Sequence, residues 1–117
     1  MAQNNLILDK SYAFALDIIQ LYKLLCENNE YVLSKQLLRS GTSIGANCEE
    51  AAAAQSKNDF IAKMSISLKE ARESRYWIRL LIDSNYIQTD HILLLKSEEL
   101  IRILSSIVKS SKENNAK

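Results

Sequence analysis

The side chains able to do acid–base, nucleophilic or metal chemistry are few and scattered. His91 is the one histidine, and Gln88 stands three residues before it. A di-metal helical bundle would carry a glutamate at that position, so the Glu-x-x-His pair is missing. With no second histidine and no His-Glu-x-x-His run, neither a zinc site nor a nucleophile–histidine pair has support. His91 reads as an exposed or helix-capping residue. Cys26 and Cys48 sit in apolar helical patterns without a Cys-x-x-Cys partner, and read as reduced, buried thiols. The sequence implies no catalytic residue, no cofactor, no metal and no small-molecule substrate.

Two patterns remain that can bind something. The first is RSGTSIGANCEE, Arg39 to Glu50, which holds both glycines of the chain, Gly41 and Gly45. A phosphate-cradling loop needs a preceding strand and a lysine after its last glycine. Here Ala46 follows, and Leu33 to Arg39 is helical in pattern, although a break at Gly41 with Thr42 or Ser43 as a new cap stays open. A helix reading explains more. Each glycine costs a helix interior about 1 kcal/mol against alanine, so tertiary contact must compensate. Gly41, Gly45, Cys48 and Ala52 then form a groove of small side chains that lets a neighbouring helix approach closely. Beside it, Gln36, Arg39, Ser43, Asn47 and Glu50 recur as a polar ridge. That ridge is either a solvated face or one side of a polar network that pairs Arg39 with Glu70 or Glu73 across helices or subunits.

The second pattern is Arg72, Arg75 and Arg79, spaced i, i+3, i+7, with Tyr76 and Trp77 between them. Cations beside aromatics make an RNA-contacting surface. The same composition also suits a helix that buries Trp77 and solvates its arginines, with pairs such as Lys69–Glu73 and Arg79–Asp83.

Four amphipathic segments must position these residues. The first spans about 9–28, with Ala15, Ile18, Tyr22 and Leu25 at packing intervals. Its polar positions, Asp17, Gln20, Lys23 and Glu27, cover an arc of only about 120°. Phe14, Leu16, Ile19, Leu21 and Leu24 widen its apolar surface, which implies a second covering surface, such as another subunit. The second segment, about 33–55, has Leu37, Gly41, Ile44, Cys48 and Ala51 on one side. The third, 57–84, opens with Ser56 as N-cap and Asp59 three residues later, and carries Phe60, Met64, Leu68, Ala71, Ile78 and Leu81. The fourth, 89–112, takes Thr89 as N-cap and Asp90 in its first turn. Leu93, Leu100, Leu104, Ile107 and Val108 form its apolar face, and Lys109 and Lys112 suit the dipole at its end. The polar tail SSKENNAK is expected to fray.

Short connections make successive helices antiparallel, so the expected fold is an all-α, up-down-up-down four-helix bundle, a single domain over 1–117. Composition agrees. The 117 residues are 47% hydrophobic and 25% charged, with no proline and two glycines. The net charge of +1 and pI near 7.7 give bulk nucleic-acid binding no support. The opening MAQNNLILDK lacks an apolar core, and no apolar run exceeds five residues. A cytoplasmic protein with no membrane partner is expected.

RSGTSIGANCEEA followed by DFIAKMSISLKEARESRYWIRLL resembles the bacterial 23S rRNA intervening-sequence proteins, a four-helix-bundle family. The resemblance covers nearly the whole chain. It is most specific at Ser43, Ile44, Asn47 and Glu50, joined by Arg39 and by Phe60, Leu68 and Glu70. Departures from common family forms are Gly45 where proline often sits, Cys48 for isoleucine and Ala51 for glycine. What the resemblance implies is a homo-oligomer, a ring-shaped homopentamer, with RNA or an RNA-handling protein as partner. Some members are encoded inside insertions of rRNA genes. A related branch, the accessory variability proteins of diversity-generating retroelements, assists a reverse transcriptase and binds nucleic acid. The function these readings imply is a non-enzymatic scaffold or accessory protein. The competing class is a protein-binding assembly module without nucleic acid.

Overall fold

Two asparagines do the turning in this glycine-poor chain: Asn29 has φ 65° and Asn85 has φ 68°. In the computed structural model, which describes residues 2–116, the chain forms α1 (Ala2–Glu27), α2 (Val32–Ala52), α3 (Lys57–Asp83) and α4 (Ile92–Ala116). Asn29 and Asn85 follow α1 and α3 in the left-handed conformation that ends many helices. The Glu30 and Asn29 amides donate back to Leu25 O at 2.9 Å and Cys26 O at 3.0 Å. Tyr86 and Asn85 repeat the arrangement on Leu81 O and Ile82 O, at 2.9 and 3.0 Å. Asparagine tolerates this backbone better than other non-glycine residues because its short polar side chain bonds locally. Both glycines are thereby released for helix interiors, and neither has positive φ. α2 is continuous through Gly41 and Gly45, so the loop alternative does not hold.

Each helix packs on its chain neighbours, α1 also meets α4, and among the described residues the backbones of neither diagonal pair come within 8 Å. The result is the antiparallel up-down-up-down bundle, 50 × 22 × 21 Å. No strand occurs among the described residues, and none of their helices is long and apolar enough to cross a membrane. Leu37, Gly41, Ile44, Cys48 and Ala51 of α2 are buried, as are Leu93, Leu100, Leu104, Ile107 and Val108 of α4.

Several local expectations need correction. α1 starts at Ala2, well before Asp9, and its buried line is Ile7, Ser11, Phe14, Ile18, Leu21 and Leu25. Ala15 and Tyr22 are only half-buried, on the flank of that line. With so wide an apolar arc, spacing alone leaves the phase of the helix undetermined. α3 hides Ser67, Glu70 and Ser74 beside Met64, Ala71 and Ile78, whereas Phe60 and Leu68 are only partly covered. α2 ends at Ala52, short of Gln55, with Ala53 as C-cap.

The expected caps divide. Ser56 Oγ accepts from the Asp59 amide at 3.0 Å. Thr89 and Asp90 instead belong to the turn, and α4 begins after His91, whose Nδ1 accepts from the Leu93 amide at 3.2 Å. The imidazole does the work expected of Thr89. The described part of the tail is helical: α4 continues to Ala116, so Lys112 is not in its last turn.

Candidate functional site

The small residues of α2 face two different neighbours. Gly41 and Gly45 meet α1. A Cβ on Gly41 would lie 2.8 Å from Ile18 Cγ1, and one on Gly45 would lie 3.3 Å from Ser11 Oγ. Ser40 and Ile44 meet α3 instead, and Cys48 lies between α3 and Ser11 of α1. Ser74 Oγ donates to Ser40 Oγ at 2.9 Å, and Ser67 Oγ donates to Ile44 O at 2.9 Å. The Cys48 sulfur lies 3.2 Å from Ser67 Oγ. Since that hydroxyl proton is committed to Ile44, the thiol is left to donate. Burial pushes the Cys48 thiol up, with the Ser67 contact opposing, so it stays an unreactive S–H. Ala52 lies exposed, so the groove ends at Cys48. It is filled from within the bundle.

The polar ridge crosses to α3 at Arg39 and at Glu50. Arg39 Nη1 donates to Glu70 Oε2 at 2.8 Å, and Nη2 pairs with Glu73 Oε2. Glu50 pairs with Lys63 at 2.9 Å. Between them, Ser43 Oγ donates to Arg39 O at 2.6 Å and Asn47 Nδ2 to Ser43 O at 2.8 Å, so these two fold back on their own helix. The Trp77 indole N–H also donates to Glu73 Oε2, at 3.0 Å. That bond, with burial opposing and Arg39 assisting, holds the Glu73 carboxyl below the usual carboxylate range. Trp77 and Arg39 thus converge on one carboxylate. The Lys69–Glu73 and Arg79–Asp83 pairs are not among the ion pairs formed by the described residues.

The three arginines of α3 share a face but not a role. Arg75 Nε donates to Glu98 Oε2 of α4 at 3.0 Å, inside a groove of about 390 Å³ lined also by Arg72 and Ile101. Arg72 and Arg79 are exposed and form no ion pair with a described residue. Tyr76 stands between them, 51% exposed, and meets Trp77 edge-on with ring centroids 5.1 Å apart.

Glu30, which the sequence gave no reason to single out, caps α2. Its carboxylate accepts from the Leu33 amide at 2.7 Å and the Ser34 amide at 2.8 Å, and its backbone carbonyl accepts from Ser34 Oγ at 2.8 Å. Burial pushes this carboxyl up, but the amides outweigh it and leave it below the ordinary range. Ser67 and Ser74 have one sequence signal in common: a polar residue at a position the apolar period of α3 would bury. Among the described residues, no three His, Cys, Asp or Glu side chains come together as metal ligands.

An antiparallel four-helix bundle with a cross-helix arginine–carboxylate network defines the class. Comparison with known families goes further: the chain belongs to the 23S rRNA-intervening sequence protein family, whose model matches residues 3–106. It is similar to a crystal structure of a protein of unknown function from the S23 ribosomal protein family of Bacteroides thetaiotaomicron VPI-5482. The two share 50% identity and a TM-score of 0.89, over 92% of this chain and 98% of that one. No curated protein matches the chain.

Proposed function

We propose that the protein is a non-enzymatic scaffold or accessory protein that self-associates and holds RNA or an RNA-handling protein. One observation carries the self-association. Leu16 and Leu24 on α1 are 49% and 56% exposed, and Ile92 and Leu95 on α4 are 55% and 60% exposed. The 2.7 Å Lys96–Asp17 ion pair puts these four at the same end of the α1–α4 pair. Large apolar side chains clustered this way mark an interaction surface. Each is about half-exposed, so covering the remainder is worth about 1 kcal/mol apiece. A second copy of the chain covers that surface, and repetition around a closed ring gives the homopentamer that the family resemblance implies.

Light scattering on the purified protein is expected to give the mass of a homopentamer of the 13.3 kDa chain. The pair Leu24→Lys with Leu95→Lys is expected to give helical monomers. A wild-type protein that stays monomeric at high concentration overturns the self-association. RNA recovered by crosslinking supports the RNA partner. Capture of a protein partner that persists after nuclease treatment supports the assembly module without nucleic acid.

A further inference from the structure

The near-zero net charge conceals a sided distribution. Lys10, Arg39, Lys63, Arg75 and Lys96 each have a carboxylate partner, and four of these five pairs sit on the α1–α4 or α2–α3 sides. On the α3–α4 side, Arg72, Arg79, Arg102, Lys109 and Lys112 are all exposed and form no ion pair with a described residue. The Arg75–Glu98 ion pair and the 2.9 Å Asn115–Asn58 hydrogen bond fix the register of the two helices. Arg72 is therefore level with Ile101 and Arg102, and Lys109 and Lys112 continue the line toward the other end of the bundle. At 1.5 Å per residue the strip is on the order of 25 Å long. Glu98 is the one carboxylate lining the groove beside Arg72, and Arg75 already engages it, while the exposed Asp83 and Glu113 flank the two ends of the strip.

An aromatic stands in this strip. Tyr76 is four residues after Arg72 and three before Arg79, so all three share one helix face. Its ring is half-exposed and braced edge-on by Trp77, which is itself anchored by its indole bond to Glu73. A fixed aromatic flanked by unpaired guanidiniums has the parts that single-stranded nucleic acid needs: a platform for an unpaired base and cations for the phosphates on either side. In a duplex the bases are already stacked, so the ring would have nothing to receive.

We infer that the α3–α4 face binds single-stranded RNA, with Tyr76 stacking a base and Arg72, Arg79, Arg102, Lys109 and Lys112 contacting phosphates. This rests on the RNA reading above and names its surface and the form of RNA. Each phosphate neutralised on a single strand contributes about −0.7 to the slope of log affinity against log salt. Repetition of the strip in an oligomer multiplies a weak site into useful avidity.

The test is titration of a labelled oligouridine into the assembled protein over a series of salt concentrations. Arg72→Gln, Arg79→Gln and Arg102→Gln together are expected to flatten the salt slope by about 2 per strip. Tyr76→Ala is expected to weaken binding about tenfold while leaving the slope unchanged. Lys23→Gln with Lys35→Gln, on the far helices, is expected to change neither. All these side chains are exposed, and circular dichroism with light scattering checks that fold and assembly persist. Wild-type binding with an unaltered slope in the arginine variant overturns this surface while the RNA reading stands. Equal affinity for duplex RNA, with no effect of Tyr76→Ala, overturns the single-strand assignment. No wild-type binding even at low salt overturns both.

Discussion

Ser74 donates a hydrogen bond to Ser40 across 2.9 Å between α3 and α2, and neither side chain is exposed to solvent. Two hydroxyls in the middle of a bundle satisfy each other and let the helix backbones come closer than leucines would. Ser67 and Cys48 repeat the device further along the same interface. A hydrogen bond between neutral partners contributes about 1 kcal/mol net, while an orphaned buried hydroxyl costs about 1–3 kcal/mol. Ser74→Ala is expected to lower stability by about 1 kcal/mol, because Ser40 keeps a long 3.4 Å bond to Leu37 O. Adding Ser40→Ala is expected to cost little more, since both polar partners are then gone. Urea denaturation of Ser74→Ala, Ser40→Ala and the double variant reads this directly, and strictly additive losses would refute the pairing.

The two glycines look alike in sequence and are expected to behave differently. At Gly41 a methyl group would meet Ile18 Cγ1 at 2.8 Å and Cγ2 at 3.0 Å, and Ile18 is fully buried with nowhere to move. Gly41→Ala is expected to cost about 1–3 kcal/mol, the usual range for overpacking. At Gly45 the nearest atom is Ser11 Oγ at 3.3 Å. There, the gain of about 1 kcal/mol in helix propensity offsets a mild contact, so Gly45→Ala is expected to be nearly neutral. The ordering of melting temperatures checks this. Ile18→Ala, added to Gly41→Ala, is expected to cost less than it does alone.

The helix terminations give a third outcome. Asn29 and Asn85 occupy left-handed backbone, where an L-residue with no local bond is strained by about 1–2 kcal/mol. Asn85→Ala is expected to destabilise by about 1 kcal/mol, and Asn85→Gly to be neutral or slightly stabilising. Equal melting temperatures for the alanine and glycine variants would show that the turn does not depend on that backbone conformation.

The helix count, their order and the buried sides of α2 and α4 were legible because those helices carry sharp 3-4 apolar spacing with polar opposite faces. α1 was not phased correctly: its apolar arc is so wide that Ala15 and Tyr22 fit a buried line as well as Phe14 and Leu21 do. α3 was half legible, since Ser67, Glu70 and Ser74 are polar letters at interior positions. Thr89 has the side chain of a cap, but the chain spends Thr89 and Asp90 on the turn and leaves capping to His91. For the candidate site, Arg72, Arg75 and Arg79 could be grouped because they share one helix. Their continuation onto Arg102, Lys109 and Lys112 depends on the register of α3 against α4, which spacing within a single helix does not carry.

Acid is expected to weaken the fold through Glu30. Glu30 is buried and accepts two amide hydrogen bonds at the start of α2, where its charge also suits the helix dipole. Its carboxyl lies below the ordinary range when folded, so the unfolded chain binds its proton more tightly. The stability it contributes is therefore complete above the unfolded carboxylate value of about 4.3, and is lost as pH falls through the lower folded value. Glu73 adds to the same trend, since Trp77 and Arg39 also hold it down. Glu30→Ala is expected to cost about 1–2 kcal/mol at neutral pH, the range of a lost helix cap. Below the folded value the two proteins should converge, because the wild-type carboxyl is then neutral and the charged cap is gone from both. Denaturation curves at fixed protein concentration, from neutral pH down through the carboxylate range, check the convergence. A variant whose deficit stays constant with pH would mean that Glu30 acts by packing and not by its charge.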